Sequence, residues 1–430
     1  MTGPDAVGKK SGRPTIRFFN TVEPVISLYR IVGENLVAAG YRVEIVVAAA
    51  KYRPGSTPLA AWARSVGVNL ILLPGIASYP RRGAPKMLVA AYYAVFGLGY
   101  ALIARPAAVN VFLTQPPMFF TCGIMLKWVR RQPYVCIMMD VYPDILAAYG
   151  KMSPKGVLYR LISRLARVAL TKADAVVCIG RCMSERLRQS GVAAGTIRLI
   201  PNWAEPFVGA ADATSGANRW IAMDALGLAG KFVVLYSGNM GISHTFDEVL
   251  ETAARLRQHE KIFFLLIGEG VRRDAVSRRI ETDALSNVRV MPYQDQDMAA
   301  SIMSEADVHL VTQRAGFEGL VVPSKAYSSL AAGKPLIYVG RPDGEIARMI
   351  VEESVGIVVP PGDADSLVDA CIRLEMDTAG RMLMGERARV LAAERYSRSR
   401  AAREYAELLV GIAGNPSPGE GERLVTTGLE

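Results

Sequence analysis

The sequence predicts an α/β protein of two consecutive doubly wound parallel sheets, with a cleft between two Rossmann-like domains. Short, near-continuous apolar runs recur along the chain, as expected for strands covered on both faces. Segments with helical periodicity separate these runs, which indicates βαβ units with right-handed crossovers. The series stops at residues 206–228 and then starts again. A chain of 430 residues that is 51% apolar is long enough for two cores.

Twelve segments are predicted as strands, six in each half. In the first half they are Thr15–Asn20, Tyr41–Ala48, Val68–Leu73, Val109–Leu113, Tyr134–Met139 and Ala175–Ile179. In the second half they are Lys231–Tyr236, Phe263–Ile267, Val288–Met291, Val308–Val311, Pro335–Val339 and Ile357–Val359. A helix is predicted over Leu28–Ala39, which ends at Gly40. Because ligands of doubly wound sheets bind beyond the carboxyl ends of the strands, two such edges facing each other would form a cleft that closes on a substrate.

These patterns divide the chain into six predicted segments. They are a flexible N-terminus (1–13), a first Rossmann-like domain (14–205), a linker (206–228), a second Rossmann-like domain (229–385), a C-terminal helix (386–412) and a disordered tail (413–430). The linker contains Gly209–Asn218, which is rich in Ala, Gly, Ser, Thr and Asp. The C-terminal helix follows from the long helical pattern of Arg387–Leu409.

The net charge of +10 is unevenly distributed. Residues 1–205 hold 26 Lys and Arg against 9 Asp and Glu, a net charge of +17, whereas the remainder holds 24 against 31, a net charge of −7. A basic first half suggests an anionic partner, namely a membrane surface, a lipid phosphate or nucleic acid. The alternative is a variation in surface composition without functional meaning. Nucleic acid is disfavoured, because no matching motif or aromatic platform accompanies the charge.

The segment Met87–Ala104 has 18 residues without a charge, the lower limit for a membrane-spanning helix. It contains two glycines and three tyrosines and leads almost directly into Val109–Leu113, so we favour a core or membrane-surface helix over a span. Residues 1–13 do not resemble a signal peptide. The expected location is therefore the cytoplasm, at the inner face of the cell membrane.

The cysteines and histidines argue against a disulfide framework and against a metal site. Five cysteines occur without regular spacing, and the three histidines lie far in sequence from the Cys178/Cys182 pair. Free thiols in a reducing compartment are the better interpretation.

Three junctions between a predicted strand and the following helix could bind a nucleotide. Tyr236–Gly241 contains Gly238 and Asn239, where glycine permits close backbone approach and a helix start supplies N–H groups to a diphosphate. Gly268-Glu269-Gly270 precedes two candidate cations, Arg272 and Arg273, and Tyr293 opens a loop that could meet a nucleotide base. Each junction could equally be an ordinary turn.

The most specific stretch is Phe317–Pro335. It places Ser324 and Lys325 at a helix start, where a hydroxyl, a cation and the helix N-terminus would favour a phosphate. Glu318 lies in the preceding loop and could accept hydrogen bonds from sugar hydroxyls. The alternatives are that Lys325 covers apolar surface and that Glu318 is solvated.

Over roughly residues 15–410 the chain resembles the GT-B-fold glycosyltransferases of family 4, in the bacterial branch that builds capsule, exopolysaccharide or O-antigen. In the second half the resemblance rests on Tyr236–Gly241, Gly268–Gly270, Pro323–Lys325, Ala331–Pro335, Gly344–Ala347 and Gly356–Asp363. In the first half it rests on Leu28–Arg30, Met139–Asp144, Ala173–Ala175 and Ile200–Trp203.

The resemblance implies a retaining transfer without a metal ion or other cofactor. A nucleotide-sugar donor, UDP- or GDP-linked, would bind mainly to the second domain and the acceptor to the first. The acceptor is expected to be a lipid-linked saccharide, because the basic first domain and the apolar Met87–Ala104 segment suit an anionic membrane surface.

The resemblance also assigns roles to individual residues. Gly238 and Asn239 fall at the phosphate loop, and Ser324 and Lys325 fall near the diphosphate or the sugar. Asp140 falls in the first-domain loop that faces the donor. We expect Lys325 to stabilise the departing diphosphate, and Asp140 or Glu345 to orient hydroxyl groups.

Three positions depart from the family pattern. Many relatives have two glutamates eight residues apart, and this chain has Leu320 at the first place and Ser328 at the second, which binds the ribose in those relatives. Met139 precedes Asp140 where many have histidine. Two other functions therefore stay open, a nucleotide-sugar 2-epimerase of the same fold and a non-catalytic partner in polysaccharide assembly.

Overall fold

The computed structural model describes residues 13–20, 26–48, 58–73, 84–204 and 222–414. Most of the predicted N-terminal segment, linker and tail lies outside these residues, as do the linker's Gly209–Asn218. The described residues form two parallel sheets with helices on both faces, which confirms the predicted fold class.

The first sheet has seven parallel strands in the order β3-β2-β1-β4-β5-β6-β7. They are β1 (Thr15–Phe19), β2 (Arg42–Ala48), β3 (Asn69–Leu73), β4 (Val109–Leu113), β5 (Tyr134–Met138), β6 (Ala175–Cys178) and β7 (Ile197–Leu199). The six predicted strands are confirmed to within one residue at each end. Strand β7 has no counterpart among the predicted strands, because this edge strand has only three residues and exposes Arg198 and Leu199.

Seven helices connect and cover these strands. They are α1 (Ile26–Ala38), α2 (Pro58–Val66), α3 (Ala84–Ile103), α4 (Cys122–Arg130), α5 (Asp144–Ala148), α6 (Val157–Lys172) and α7 (Arg181–Gln189). None of the helices in the described ranges combines the length and the apolar character that a membrane crossing requires. The inner side of α3 belongs to the core, since Tyr93 is fully buried and Gly97 lies against Phe119.

The second sheet has six parallel strands in the order β10-β9-β8-β11-β12-β13. They are β8 (Phe232–Ser237), β9 (Ile262–Ile267), β10 (Val288–Met291), β11 (Val308–Thr312), β12 (Leu336–Val339) and β13 (Gly356–Val359). The associated helices are α8 (Ala222–Ala225), α9 (Asp247–Arg255), α10 (Arg273–Thr282), α11 (Gln296–Glu305), α12 (Lys325–Ala331), α13 (Glu345–Glu353), α14 (Ala364–Met376), α15 (Thr378–Glu394) and α16 (Arg398–Ala413).

The strand order reverses between β1 and β4 in the first sheet and between β8 and β11 in the second. At such a reversal the loops diverge to opposite faces of the sheet and leave a crevice at the carboxyl ends of the strands. Each sheet therefore has one crevice of this kind.

The predicted single C-terminal helix is wrong in one respect: the structure has two helices, α15 and α16, separated by residues 395–397. The physical reason is a tertiary contact. The carbonyl oxygen of Tyr396 accepts a hydrogen bond from the amide of Ala204, and Ser397 then caps α16. Helix α16 packs back against α1 of the first half, and Tyr405 and Leu409 join the core there. The chain thus crosses between the two sheets twice.

One apolar cluster continues from the first half into the second. It includes Met183 and Leu187 of α7 together with Leu320, Val322 and Tyr327. All five cysteines are free thiols, and Cys136, Cys178 and Cys371 are buried, as expected from their irregular spacing.

Candidate active site

Two glycine turns meet at the carboxyl edge of the second sheet, where the neighbouring strands β8 and β9 end. Gly268 and Gly270 have φ angles of +150° and +148°, which L-residues rarely adopt. A Cβ atom on Gly268 would lie 1.9 Å from the carbonyl oxygen of Gly238, and one on Gly270 would lie 2.5 Å from that of Met240. The two turns therefore form one surface of backbone, with no room for a side chain between them.

Lys325 reaches this surface from the start of α12. A Cβ atom on Gly238 would lie 2.8 Å from Lys325 Cε. Lys325 Nζ donates to the Tyr236 hydroxyl at 2.6 Å, and the carbonyl oxygen of Asn239 and Nε2 of His244 each lie 3.3 Å away. The structure thus brings Gly238, Asn239 and Lys325 together on one side of the sheet.

The partners of Lys325 are all neutral. In the part of the chain that the structure describes, no carboxylate pairs with its ammonium group. Burial lowers the pKa of Lys325 from 10.5 to about 7. A partly buried cation without a negative partner is electrostatically unsatisfied, so an anionic ligand would stabilise it.

His244 belongs to this cluster, although the sequence analysis did not single it out. Its Nδ1 lies 2.6 Å from the carbonyl oxygen of Thr312, so Nδ1 carries the proton and Nε2 is left as an acceptor facing Lys325. Burial, followed by the charge of Lys325, lowers the pKa of His244 to about 3. The imidazole is therefore neutral and orients the ammonium group. In the sequence, the one sign that His244 belongs to this site was its position three residues after Gly241.

The structure separates the two candidate arginines. Nη1 of Arg273 contacts both carboxylate oxygens of Glu269, at 2.9 and 3.1 Å. Arg272 lies 3.9 Å from its nearest carboxylate, that of the exposed Asp247. Because its charge is less fully paired, Arg272 is the better candidate for an anion.

A cavity of about 290 Å³ lies beside the β8/β11 reversal, where doubly wound sheets bind ligands. Its lining residues are Thr245, Asp247, Glu248, Arg272, Arg314, Ala315 and Pro361.

Three further predicted residues lie around these turns. Tyr293 follows β10 and is 53% exposed, and the backbone of Glu269 hydrogen-bonds to its hydroxyl. Ser324 precedes α12 as predicted, and its exposed hydroxyl does not cap the helix. Ser328 lies one turn after Lys325 on the same helix and is half-buried.

Asp140 follows β5 at the point where the two halves of the protein touch. The next amide, that of Val141, donates a 3.0 Å hydrogen bond to the carbonyl oxygen of Leu320 in the second half. The ring of Tyr149 also packs against that of Phe317, with centroids 5.4 Å apart. Burial raises the pKa of Asp140 from 3.8 to about 6.

Glu318 lies in the same second-half loop, between Phe317 and Leu320. Its Oε2 accepts a 2.8 Å hydrogen bond from the amide of Gly316. Its Oε1 is buried and has no hydrogen-bond partner among the described residues. A buried carboxylate oxygen without a donor is costly, and a ligand hydroxyl could supply that donor.

Glu345, which the sequence analysis proposed as a catalytic residue, has a different environment. Its Oε2 accepts hydrogen bonds from the amides of Arg181 and Cys182 at the start of α7, and its Oε1 accepts one from Arg181 Nε at 3.0 Å. Arg181 also forms an ion pair with Glu352. Both oxygens of Glu345 are therefore engaged in joining the two halves, and we correct its expected role from orienting substrate hydroxyls to holding the two halves together.

Replacing Glu345 by glutamine should test this correction. We expect the melting temperature to fall by a few degrees, because the partly exposed Arg181 guanidinium and the two amide donors lose a charged acceptor, and solvent screening keeps this loss to about 1–2 kcal/mol. Turnover should fall by less than about tenfold, whereas loss of a catalytic acid or base typically costs 10²–10⁴-fold. Glu352→Gln is the matched control, and this exposed pair should contribute at most about 1 kcal/mol. A loss of turnover above about a hundredfold in Glu345→Gln, at an unchanged melting temperature, would restore the catalytic role.

Comparison with known proteins gives two family matches, one in each half. Residues 30–203 match the model described as a glycosyl transferase 4-like domain. Residues 231–377 match the model described as glycosyl transferases group 1. Together the two matches span three quarters of the chain.

Several matching relatives and solved structures are named as glycosyltransferases. WbjE of Pseudomonas aeruginosa, named as a glycosyltransferase, is 28% identical over 83% of this chain and 90% of its own length. WcaI of Escherichia coli K12, whose name places it in colanic acid biosynthesis, is 30% identical over 52% of this chain and 54% of its own length. Anabaena HepE, solved with UDP, aligns with a TM-score of 0.67 at 14% identity, covering 93% of this chain and all of HepE. WaaG, a glycosyltransferase involved in lipopolysaccharide biosynthesis, aligns with a TM-score of 0.67 at 16% identity, covering 92% of this chain and all of WaaG.

Proposed function

The chain belongs to the GT-B-fold glycosyltransferases of family 4, and we propose from this that it moves a sugar from a nucleotide-sugar donor to a lipid-linked saccharide acceptor in bacterial surface polysaccharide synthesis. The coarser statement, a glycosyltransferase of polysaccharide or lipopolysaccharide biosynthesis, agrees with the names of its relatives. The observation that carries the proposal is the unpaired Lys325 beneath the two glycine turns.

The donor is proposed to bind with its diphosphate at Gly238 and Lys325. A diphosphate would supply the negative charge that the neutral partners of Lys325 do not, and Arg272 could contact it from the adjacent turn. The base would lie toward Tyr293, which is exposed next to the Gly268–Gly270 turn. UDP and GDP are the two proposed nucleotides, and HepE was solved with UDP.

The transferred sugar would lie between this diphosphate and Asp140. Glu318 Oε1 would accept a hydrogen bond from a sugar hydroxyl, since it is buried without a donor. The loops of Glu318 and Asp140 meet through the bond between Val141 and Leu320, so both carboxylates belong to the region where the halves touch.

We propose a retaining transfer without a covalent nucleophile. As the bond between the anomeric carbon and the phosphate oxygen breaks, charge develops on the diphosphate, and Lys325 stabilises it electrostatically. The acceptor hydroxyl attacks from the same side, and its proton passes to the departing phosphate. The chain's own cations neutralise the diphosphate in this scheme, so the proposed step uses no metal ion.

The pH dependence of donor turnover should be bell-shaped. The ionised form of Asp140 accumulates as pH rises through about 6, and the charged form of Lys325 is lost as pH rises through about 7. The value of kcat/KM for the donor should therefore be highest between these two values and fall about tenfold per pH unit on either side. Asp140→Asn should remove the acid limb while keeping the alkaline one. An acid limb that survives unchanged in Asp140→Asn would reject its assignment to Asp140.

A direct test combines donor binding with transfer. Thermal shifts measured with UDP-, GDP- and dTDP-sugars should show stabilisation by one nucleotide, since a ligand present at 100 times its Kd stabilises the folded state by about 2.7 kcal/mol. Purified protein with that donor and membrane extract should then transfer labelled sugar to a lipid fraction. Conversion of the sugar nucleotide without any acceptor would instead indicate an epimerase, and binding without any turnover would indicate a non-catalytic partner.

A further inference from the structure

Three neighbouring helices on one face of the first sheet expose an unusual number of apolar side chains. Of the 19 large apolar side chains that are exposed in the described part of the chain, 11 lie on α3, α4 and α6. Helix α4 packs between α3 and α6, so the three form one layer. We call their outer surface the α3–α4–α6 face. Its exposed apolar residues are Val95, Phe96, Ile103, Met125, Trp128, Val129, Val157, Leu158, Leu161, Leu165 and Val168.

Helix α6 shows most clearly that this exposure is organised. At about 100° per residue, its five exposed apolar side chains fall within an arc of roughly 100°. Arg160, Arg164 and Arg167 occupy the adjacent arc of roughly 60°, and Ala166 and Ala169 on the remaining side are buried in the core. A helix that only covered a sheet would turn polar residues to solvent. Here half of the outer side is apolar and half is cationic.

The neighbouring helices have the same character. Trp128 of α4 is 84% exposed, and Met125 and Val129 flank it. The sequences of α3, α4 and α6 contain no Asp or Glu at all, whereas they contain seven Lys and Arg. The whole layer is therefore apolar and positively charged.

Helix α6 begins soon after the contact between the two halves. Its first residue, Val157, is eight residues after Tyr149, whose ring packs against Phe317 of the second half. The start of α6 is therefore the part of the α3–α4–α6 face that is nearest along the chain to the region proposed for the acceptor.

We propose that the α3–α4–α6 face docks on an anionic lipid bilayer, with Trp128 and the apolar stripe of α6 inserted at the interface and the arginines on phosphate headgroups. The docking proposal depends on the proposed function only where it invokes a lipid-linked acceptor. The pattern of apolar and cationic side chains does not depend on the proposed function. A second copy fits less well, because a two-fold contact would bring the same cationic surfaces against each other.

Vesicle flotation at low salt tests the proposal. The full-length protein should bind phosphatidylglycerol vesicles and bind phosphatidylcholine vesicles at least tenfold more weakly. Replacing Arg160, Arg164 and Arg167 together by glutamine should weaken binding to the anionic vesicles by about a hundredfold, since each contributes roughly fivefold. Replacing Leu158, Leu161 and Leu165 by glutamine should weaken it by at least tenfold.

The matched control is Met382→Gln with Leu383→Gln on α15, where two exposed apolar residues lie on the other half of the protein. This variant should bind vesicles like the parent. Melting temperatures should stay within about 2 °C for all variants, because exposed substitutions change stability little. Unchanged binding by the arginine or leucine variant, or no binding by the parent protein, overturns the proposal.

Two further measurements separate the alternatives. Analytical ultracentrifugation shows whether the parent protein is a dimer and whether the leucine variant is a monomer. That result would assign the α3–α4–α6 face to contact with a second copy. Transfer to a short-chain, water-soluble acceptor should be equal in parent and variants. Vesicle binding without any transfer would refute the proposed function while leaving the docking surface intact.

Discussion

Replacing Lys325 by methionine should lower turnover by more than tenfold in a protein that still folds. The substitution keeps the apolar stem of the side chain as far as Cε and removes the charged nitrogen, so Tyr236 and His244 lose a donor while most of the packing is kept. Charge stabilisation of a departing group by a positioned donor is worth roughly 10²–10³-fold in other enzymes. The measurements are kcat with saturating donor and the Kd of the nucleoside diphosphate. Both should worsen, because the diphosphate carries its largest negative charge after departure.

Lys334→Met is the matched control, since this lysine is also partly buried and follows the opposite end of α12. Its pKa is lowered as well, mainly by burial. We expect turnover within about twofold of the parent protein. Near-normal turnover in Lys325→Met or in Lys325→Ala, at an unchanged melting temperature, would show that Lys325 only ties α12 to the Tyr236–Gly241 turn.

Replacing Gly268 by alanine should abolish donor binding almost completely. The new Cβ atom would lie 1.9 Å from the carbonyl oxygen of Gly238, so one of the two turns must move. The φ angle of +150° adds backbone strain of about 1–3 kcal/mol. Because the clash displaces the turn that also contacts Lys325, we expect the affinity for the nucleoside diphosphate to fall by at least a hundredfold. Isothermal titration and a melting curve measure the two effects separately.

Gly230→Ala is the control that separates the backbone strain of a positive φ angle from the displacement of the glycine turn. Gly230 also has a positive φ angle, +72°, but a Cβ atom there meets nothing within 4 Å. This variant should lose about 1 kcal/mol of stability and keep its donor affinity. If Gly268→Ala bound the nucleotide as tightly as Gly230→Ala does, the glycine turns would not form the donor site.

Much of the fold could be predicted from the sequence because strand and helix patterns depend on neighbours along the chain. The apolar runs predicted twelve of the thirteen strands that lie in the described residues, and Gly238 could be recognised as part of a turn between a strand and a helix. The one missing strand, β7, has too few residues for a pattern. The division of the helical pattern after Arg387 depends on the distant Ala204, which periodicity does not report.

The chemical state of the candidate site was decided by tertiary structure. Lys325 and Tyr236 are 89 residues apart, and Arg181 and Glu345 are 164 residues apart. Spacing along the chain does not show whether a lysine lacks a carboxylate partner or whether a glutamate forms an ion pair with a distant arginine.

The sequence by itself thus determined the architecture and the positions of the glycine turns, because backbone conformation and burial follow local residue types. Only the tertiary structure decided which charged side chains are paired, which are buried unpaired, and which apolar helix faces remain exposed. The physical reason is that charge, desolvation and exposure depend on what packs around a residue, and these neighbours come from segments that only folding brings together.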